Sequence, residues 1–248
     1  YLDCSKLFMK RLLSFFFIFF LLAISSLPAR TYVVSVGIAD YPGTQNDLRV
    51  SANDAKTIAG IFTKNGKATV ECFVNSDVTI QKVCAMMRQT FAKATPSDAI
   101  ILYFSGHGMP GGLVCYNGFL YYSSILNIMK QSKARQKMVF VDACYAGKMR
   151  STNRRSNNYS NENVMFFLSS RSSEKSLETP RQTGFKNSLF TVFLERGLRG
   201  GADVNRDKSI TAKELYDFVH QGVINASGGQ QHPVMWGKFD GNMAVMKW

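Results

Sequence analysis

The stretch AIILYFSGHG, residues 99–108, carries the clearest structural signal in the sequence. Residues 99–104 form an unbroken apolar run, which is typical of a central parallel strand buried on both faces of a sheet. The run leads into Gly106-His107-Gly108, and ligands of open α/β sheets sit beyond the carboxyl ends of the strands. The two glycines allow another molecule to approach the backbone closely. His107 is therefore a candidate acid, base or metal ligand, and a turn histidine at a strand end is the alternative.

Strand and helix patterns alternate on both sides of this stretch. Apolar runs predict strands at 31–38, 68–75, 137–144 and 163–170, with an edge strand at 232–239. Helical spacing of apolar residues predicts helices at 51–66, 79–94, 123–131, 186–197 and 212–222. The alternation predicts an α/β fold with a mainly parallel sheet of about six strands, covered on both faces. Sequential right-handed crossovers place the ends of strands 99–104 and 137–142 side by side.

A second strand ends in the same manner. VDACYAG, residues 141–147, runs from apolar residues into small ones and delivers Cys144 to the edge that carries His107. A thiol is a good nucleophile at neutral pH when a base or an imidazolium lies beside it. The backbone N–H groups of Gly108 and Cys144 are candidates to hold an oxyanion. The pair predicts a Cys/His hydrolase dyad, and a small buried thiol is the alternative for Cys144.

The motifs SGHG and DACYAG resemble the histidine and cysteine motifs of the caspase-like cysteine peptidases. The resemblance is strongest to metacaspase-type members and bacterial caspase homologues, and it covers nearly the whole chain from residue 32 onward. It implies a caspase–haemoglobinase-like fold, a three-layer αβα sandwich, and peptide-bond hydrolysis through an acyl-cysteine intermediate. It also implies a large-subunit-like part (30–147), an exposed loop (148–163) and a small-subunit-like part (164–248).

The same resemblance implies a specificity pocket. Caspases carry glutamine two residues before the nucleophile, whereas this chain has Asp142 there, and the matching aspartate of metacaspases lines the primary pocket. YPGTQNDLRVSAND, residues 41–54, matches a YxGTxxxLxxxxxD pattern whose last residue, Asp54, supplies a second pocket carboxylate. Two carboxylates attract basic side chains and repel acidic ones, so we expect cleavage after Arg or Lys. Helix N-terminal charge near Ser51 is another use of Asp54.

Two further segments are expected to meet peptide chains. By the resemblance, Ser169 and Ser170 border the substrate groove, and turn formation is their alternative role. The loop 148–163 is polar, lacks periodicity and lies where caspases are cut between subunits. Exposed loops are where nicking concentrates, so a protease that prefers basic residues would cut itself there. The candidate residues are Lys148, Arg150, Arg154 and Arg155. A solvated basic loop is the alternative.

The segment 203–214 has the ligand spacing of an EF-hand loop. The candidate ligands are Asp203, Asn205, Asp207, Ser209, Thr211 and Glu214. Lys208 stands where such loops usually have glycine, which strains the turn and adds a positive charge. Calcium binding is one prediction, and a tight turn followed by a Thr211–Glu214 capping box is the alternative. The predicted hydrolysis itself requires no cofactor.

The N-terminal residues bear on location. Lys6, Lys10 and Arg11 precede a short apolar run, LLSFFFIFFLLAI (12–24), and small residues follow as far as Ala29. This order predicts a signal peptide over 1–29 and export to the periplasm or the exterior, with a peptidase domain over 30–248. The apolar run is short for a membrane span. We therefore expect no stable span after cleavage, and an uncleaved anchor is the alternative.

The net charge bears on the binding partners. The net charge of +13 is compatible with nucleic acid, an anionic membrane or an acidic partner. The positive charges are scattered, so specific nucleic-acid binding is not expected, although a basic nucleic-acid- or envelope-binding protein is one rival. The other is a non-proteolytic regulatory or interaction module on the same fold. The expected partners are peptides or proteins with a basic residue at the cleavage site.

The cysteines after the predicted signal peptide are Cys72, Cys84, Cys115 and Cys144. In an exported protein they allow two disulfides. No CxxC spacing is present, so a structural zinc site is not expected.

Overall fold

The computed structural model describes residues 29–144, 163–171, 174, 176–178 and 186–248. Apart from Ala29, the predicted signal peptide lies outside the described residues. The predicted self-cleavage residues lie outside them too: Lys148, Arg150, Arg154 and Arg155.

Strands and helices alternate along the chain as the apolar pattern predicts. The first part contains β1 (Thr31–Gly37), α1 (Ser51–Asn65), β2 (Ala68–Val74), α2 (Ile80–Phe91), β3 (Ala99–Ser105), β4 (Gly108–Met109), β5 (Gly112–Cys115), β6 (Gly118–Tyr121), α3 (Tyr122–Gln131) and β7 (Gln136–Asp142). The second contains β8 (Val164–Leu168), α4 (Leu189–Arg196), β9 (Ser209–Thr211), α5 (Ala212–Ala226), β10 (Val234–Trp236) and β11 (Ala244–Lys247).

A six-stranded sheet forms the centre, in the order β10-β8-β7-β3-β1-β2. Neighbouring strands are parallel except β10, which pairs antiparallel with β8 at one edge. The mainly parallel sheet and the edge strand near 232–239 are thereby confirmed. Both predicted parts, 30–147 and 164–248, contribute strands to this one sheet, and their correspondence to large and small subunits stays a prediction.

Strand β3 shows how the sheet separates two cores. All of its residues are buried, and successive side chains point to opposite faces. Ile100, Leu102 and Phe104 pack on the face covered by α2 and α3. Ile101 and Tyr103 pack on the face covered by α1, α4 and α5. The continuous apolar run at 99–104 is therefore explained by a strand with helices on both sides, and the three-layer αβα sandwich is confirmed.

Two small antiparallel sheets were not predicted. Strands β4, β5 and β6 form one directly after His107, and β9 pairs with β11 in the other. The strands of the first sheet have only two to four residues each, which is too short to show a strand period in the sequence. The first sheet matters for function because β4 begins at Gly108.

The described residues also bear on the membrane and disulfide expectations. None of their helices is both long and apolar enough to cross a bilayer. Cys72, Cys84, Cys115 and Cys144 are free thiols, so the two disulfides allowed by the sequence are not formed. Cys72 is exposed on the edge strand β2, whereas Cys84 and Cys115 are buried in the core.

Candidate active site

Strand register brings the predicted dyad together. Ser105 and Asp142, the last residues of β3 and β7, are directly paired, and the N–H of Gly106 donates to the Asp142 carbonyl at 3.1 Å. His107 and Cys144 each follow two residues after that pair. Both side chains consequently line one cavity at the carboxyl edge of the sheet.

The two glycines beside His107 accommodate groups of the chain itself. A Cβ atom at Gly106 would lie 2.6 Å from the Tyr41 hydroxyl oxygen. A Cβ atom at Gly108 would lie 2.8 Å from the Cys144 carbonyl oxygen. Both distances are too short for a side chain. The groups that approach these two glycines closely are therefore Tyr41 and the turn at Cys144. The sequence had suggested that a bound ligand approaches them.

His107 is held by contacts on both its backbone and its ring. Its N–H donates to the Tyr41 hydroxyl at 2.8 Å, and that hydroxyl donates to the Val114 carbonyl at 3.1 Å. The Tyr41 and His107 ring centroids are 4.7 Å apart. The ring Nε2 lies 2.7 Å from the Asn46 carbonyl oxygen. Because a carbonyl only accepts, Nε2 carries the proton, and Nδ1 of the neutral ring is the nitrogen able to accept one.

The β4–β5 ladder leaves the Gly108 amide available. The Val114 N–H donates to the His107 carbonyl at 3.0 Å, while Gly108 is paired with Leu113. This pattern puts Gly108 and Leu113 at a non-hydrogen-bonded position, so the Gly108 N–H takes no part in that ladder. The arrangement suits the role of oxyanion donor that was predicted for Gly108.

Asp142 lies at the base of the cavity that Cys144 lines. It is almost fully buried, and it accepts hydrogen bonds from the hydroxyls of Ser176 (2.5 Å), Thr191 (2.9 Å) and Ser188. Burial raises the pKa of Asp142 above its ordinary value. The predicted place of Asp142 beside the nucleophile therefore agrees with the structure.

Asp54 lies behind the residues that line the cavity, whereas the prediction placed it in the pocket itself. It is fully buried in the first turn of α1 and is not part of the cavity wall. Its carboxylate accepts from the Ser105 hydroxyl at 2.9 Å and from the Ser188 N–H at 3.0 Å. Burial, and then the nearby Asp142 carboxyl, raise the pKa of Asp54 well above its usual range. Asp54 thus reaches the cavity through Ser105 and Ser188, which line it.

Ser169 and Ser170 lie behind the turn that carries Cys144. Both residues are fully buried, and both hydroxyls lie within 3.4 Å of the Ala143 carbonyl oxygen. The Ser169 hydroxyl also accepts from the Ala143 N–H at 3.1 Å. These contacts hold the backbone just before Cys144 in place, and a place for the two serines at a substrate groove stays a prediction.

Residues 176–178 form one wall of the cavity, and the sequence did not predict their place there. Ser176, Leu177 and Glu178 line it, and the Ser176 carbonyl oxygen lies 4.0 Å from the Cys144 sulfur. Glu178 accepts from the backbone N–H groups of Arg49 (2.7 Å) and Val50 (3.1 Å). With this wall in place, the cavity measures only about 40 Å³. No local pattern marks these residues, because their hydrogen-bond partners lie far away in the sequence, more than 120 positions in the case of Glu178.

A buried glutamine fixes this wall. Gln231 is fully buried; its Nε2 donates to the Ser169 carbonyl at 2.8 Å and to the Ser176 hydroxyl at 3.3 Å. Its Oε1 accepts from the Leu177 N–H at 2.9 Å. One side chain therefore connects the turn-supporting serine, Ser169, with the wall beside the nucleophile.

The candidate calcium loop has a defined geometry. Lys208 has a left-handed φ of 64°, and its N–H donates to Asp203 at 3.1 Å. Glu214 accepts from the N–H and the hydroxyl of Thr211, which completes the capping box at the start of α5. Within the described ranges, no group of three or more His, Cys, Asp and Glu side chains is placed to hold a metal ion. Calcium binding by this loop stays a prediction.

Comparison with known proteins agrees with this arrangement. A family model described as the caspase domain matches residues 30–242. Caspase-1 from Spodoptera frugiperda superposes with a TM-score of 0.64 and 15% identity, covering 85% of this chain and 87% of that one. A protein from Geobacter sulfurreducens superposes with a TM-score of 0.62 and 16% identity, covering 85% and 95%. At these identities the superpositions show the shared fold alone.

A search of curated proteins found no match. The family model nevertheless spans most of the sequence and includes both His107 and Cys144. The chain therefore belongs to the caspase domain family, which supports a cysteine-peptidase-like function.

Proposed function

We propose that the chain is a cysteine endopeptidase that cleaves peptide bonds after Arg or Lys. The observation that carries the proposal is the shared cavity: Cys144 and His107 line it together with the buried carboxyl of Asp142. A nucleophile, a base and an acidic pocket are the parts that such a reaction requires.

The proposed reaction proceeds through an acyl-enzyme. The Cys144 sulfur attacks the carbonyl carbon while His107 accepts the thiol proton, and the Gly108 and Cys144 N–H groups stabilise the oxyanion. His107 then gives the proton to the leaving amine, and the carbon–nitrogen bond breaks. A water molecule, deprotonated by His107, attacks the acyl-cysteine. The carbon–sulfur bond then breaks, the carboxylic acid is released, and Cys144 takes the proton back from His107.

The preference for basic side chains is argued from the two buried carboxyls. Among the described residues, the hydrogen bonds to Asp54 and Asp142 come from hydroxyls and a backbone N–H, and none comes from Lys or Arg. Buried carboxylates without a cation are unfavourable, and a guanidinium or an ammonium supplies the missing charge. In this proposal Asp142 contacts the substrate cation, and Asp54 adds negative charge from behind Ser105 and Ser188.

The size of the cavity adds a requirement. At about 40 Å³ it is far smaller than the roughly 300–1,000 Å³ of typical ligand sites. An arginine side chain therefore enters only if the wall at Ser176 moves outward, and the guanidinium then replaces the Ser176 hydroxyl on Asp142. Glu178 also lines this wall, and its carboxylate lies 3.7 Å from the Arg49 guanidinium.

Three finer parts of the proposal concern location and control. Export depends on residues 1–29, and self-cleavage depends on the loop 148–163. Calcium binding depends on Asp203, Asn205, Asp207, Ser209 and Glu214. The proposal includes all three.

The test compares matched peptide reporters that end in Arg, Lys or Asp, with calcium and with a chelator. We expect release after Arg or Lys, loss of release in Cys144→Ala, and normal release in Cys72→Ala, which removes an exposed thiol of β2. Release only after Asp would retain the peptidase and reject the roles of Asp54 and Asp142. No release by the folded protein would favour the rival function, a non-proteolytic module.

A further inference from the structure

His107 lines a second cavity besides the acidic one. This second cavity measures about 490 Å³. Its volume falls within the roughly 300–1,000 Å³ that is usual for ligand sites, whereas the acidic cavity is much smaller. Strands β4 and β5 form one side of it, and the segment that begins at Tyr41 forms the other.

The walls of this second cavity are mainly apolar. Pro42, Met109, Val114 and Tyr116 contribute side chains, and none of the described residues that line it is Lys, Arg, Asp or Glu. Met109 is 54% exposed, which is unusual for a large apolar side chain of this protein. Methionine is flexible and polarizable, so it adapts to apolar groups of different shape. The chemistry suits an aliphatic or aromatic side chain.

The proposed reaction indicates which part of the substrate lies in the second cavity. His107 protonates the leaving amine, so that nitrogen has to come within hydrogen-bonding distance of the imidazole. The peptide downstream of the cleaved bond therefore departs on the imidazole side of the thiol. The upstream basic side chain occupies the acidic cavity beside Cys144, which leaves the second cavity for the downstream residues.

We propose that the cavity between Tyr41 and β4–β5 binds an apolar or aromatic side chain from one of the first two substrate residues after the cleaved bond. This inference rests on the proposed peptidase function and adds a second specificity element to it. The enzyme then recognises a basic residue before the cleaved bond and an apolar residue after it.

The test uses the full chain and internally quenched peptides that share one upstream sequence ending in a single Arg. The first or the second downstream residue is varied among Gly, Asp, Leu and Phe. We expect kcat/KM for Leu or Phe to exceed that for Gly at least tenfold at one of the two positions, with Asp the poorest. The same upstream sequence as an ethyl ester, whose leaving group has no side chain, measures the peptidase chemistry separately.

Two variants locate the preference. Met109→Asp places a charge in the cavity and should reduce the Leu-to-Gly ratio to about one; a ratio within one variant is independent of general losses of rate. Tyr121→Asp changes an exposed apolar residue of the same small sheet that does not line the cavity, and its ratio should equal that of the parent protein. Loss of the preference in Met109→Asp alone would support the assignment.

Failure of this inference and failure of the proposed function give different results. Ester hydrolysis with equal rates for Gly, Asp, Leu and Phe peptides would overturn this inference and leave the proposed function standing. A preference that survives Met109→Asp would also overturn it. Absence of hydrolysis for both the ester and the peptides would overturn the proposed function, and the inference with it.

Discussion

Tyr41 connects three parts of the site through one hydroxyl group. The hydroxyl accepts from the His107 N–H, donates to Val114, and occupies the space that a side chain at Gly106 would need. Tyr41 touches no reacting atom, so we regard it as a positioning residue. Tyrosine opens the YPGT stretch that pointed to Asp54, but nothing in that pattern indicated a contact with His107, because the two residues are 66 positions apart.

Removing that hydroxyl should affect the chemical step. Tyr41→Phe removes two hydrogen bonds, each worth about 1 kcal/mol, and lets the His107 ring drift. We expect kcat to fall roughly 5- to 10-fold, with KM nearly unchanged, in steady-state assays on an Arg peptide. Tyr122→Phe, which alters another buried tyrosine of the core, should leave kcat as it is. A change in KM alone would contradict the positioning role.

Asp54 and Asp142 make stability depend on pH. Burial and the neighbouring Asp142 carboxyl raise the pKa of Asp54, so the folded protein holds this proton more tightly than the unfolded chain. The resulting stabilisation is complete below about pH 4, the ordinary pKa of aspartate, and is lost as the pH rises through the raised value.

Asp54→Asn should therefore stabilise the protein at neutral pH. The amide still accepts from the Ser188 N–H, and the Ser105 hydroxyl can turn to accept from the new NH₂ group. We expect a higher Tm than that of the parent protein at pH 7–8, and a difference that closes toward pH 4. Calorimetric scans across this range measure it. A variant that is less stable at pH 8 would show that the buried charge is well compensated.

At the scale of elements, the end of β3 and the start of β4 set the position of the dyad. The close contact of Gly108 with the Cys144 carbonyl shows that the small sheet is packed against the nucleophile turn. Gly108→Ala should displace that turn and lower kcat/KM roughly 100-fold, as a 1 Å misplacement of catalytic groups does. Far-UV circular dichroism should show a retained fold.

A second glycine provides the matched control. A Cβ atom at Gly60, inside α1, meets no other atom within 4 Å. Gly60→Ala should therefore keep full activity and raise the free energy of unfolding by about 0.5–1 kcal/mol, because alanine favours a helix more than glycine does. Equal activity losses in the two variants would contradict a specific role for Gly108.

The long elements were accessible from the sequence, whereas the short ones were not. Strands such as β3 and β7 are continuous apolar runs because helices cover both of their faces, and α2 presents one apolar stripe. Strands β4 to β6 are too short for any periodicity, and they are recognisable only through their pairing. Helix α1 begins at Ser51, as the helical spacing over 51–66 predicts, and Val50 is its N-cap.

At the scale of the whole molecule, the site combines residues from both parts of the chain, 30–147 and 164–248. His107, Asp142 and Cys144 follow strand ends, so their meeting was predictable from the order of parallel strands. Ser176, Ser188 and Gln231 come from the second part of the chain and complete the cavity through long-range hydrogen bonds. Such contacts exist only after folding, which is why the sequence did not reveal them.

The net charge of the chain and the local charge at the cavity have opposite signs. The chain as a whole carries a net charge of +13, yet the cavity beside Cys144 is lined by Asp142 and Glu178, with Asp54 behind it. Bulk charge would suggest acidic partners, whereas the proposed preference for basic residues follows from the local carboxyls. Local charge should dominate recognition, because charges separated by more than about 8–10 Å in solution are largely screened at physiological salt.

The most direct measurement is covalent capture of the nucleophile. A peptide that ends in an arginyl chloromethyl ketone forms a thioether with an attacking thiolate and releases chloride. Intact-mass analysis and peptide mapping should find one label, on Cys144, with the matched aspartyl compound reacting at least tenfold more slowly. Folded protein that leaves Cys144 unlabelled while the exposed Cys72 reacts would contradict the assignment of Cys144 as the nucleophile of a peptidase directed to basic residues.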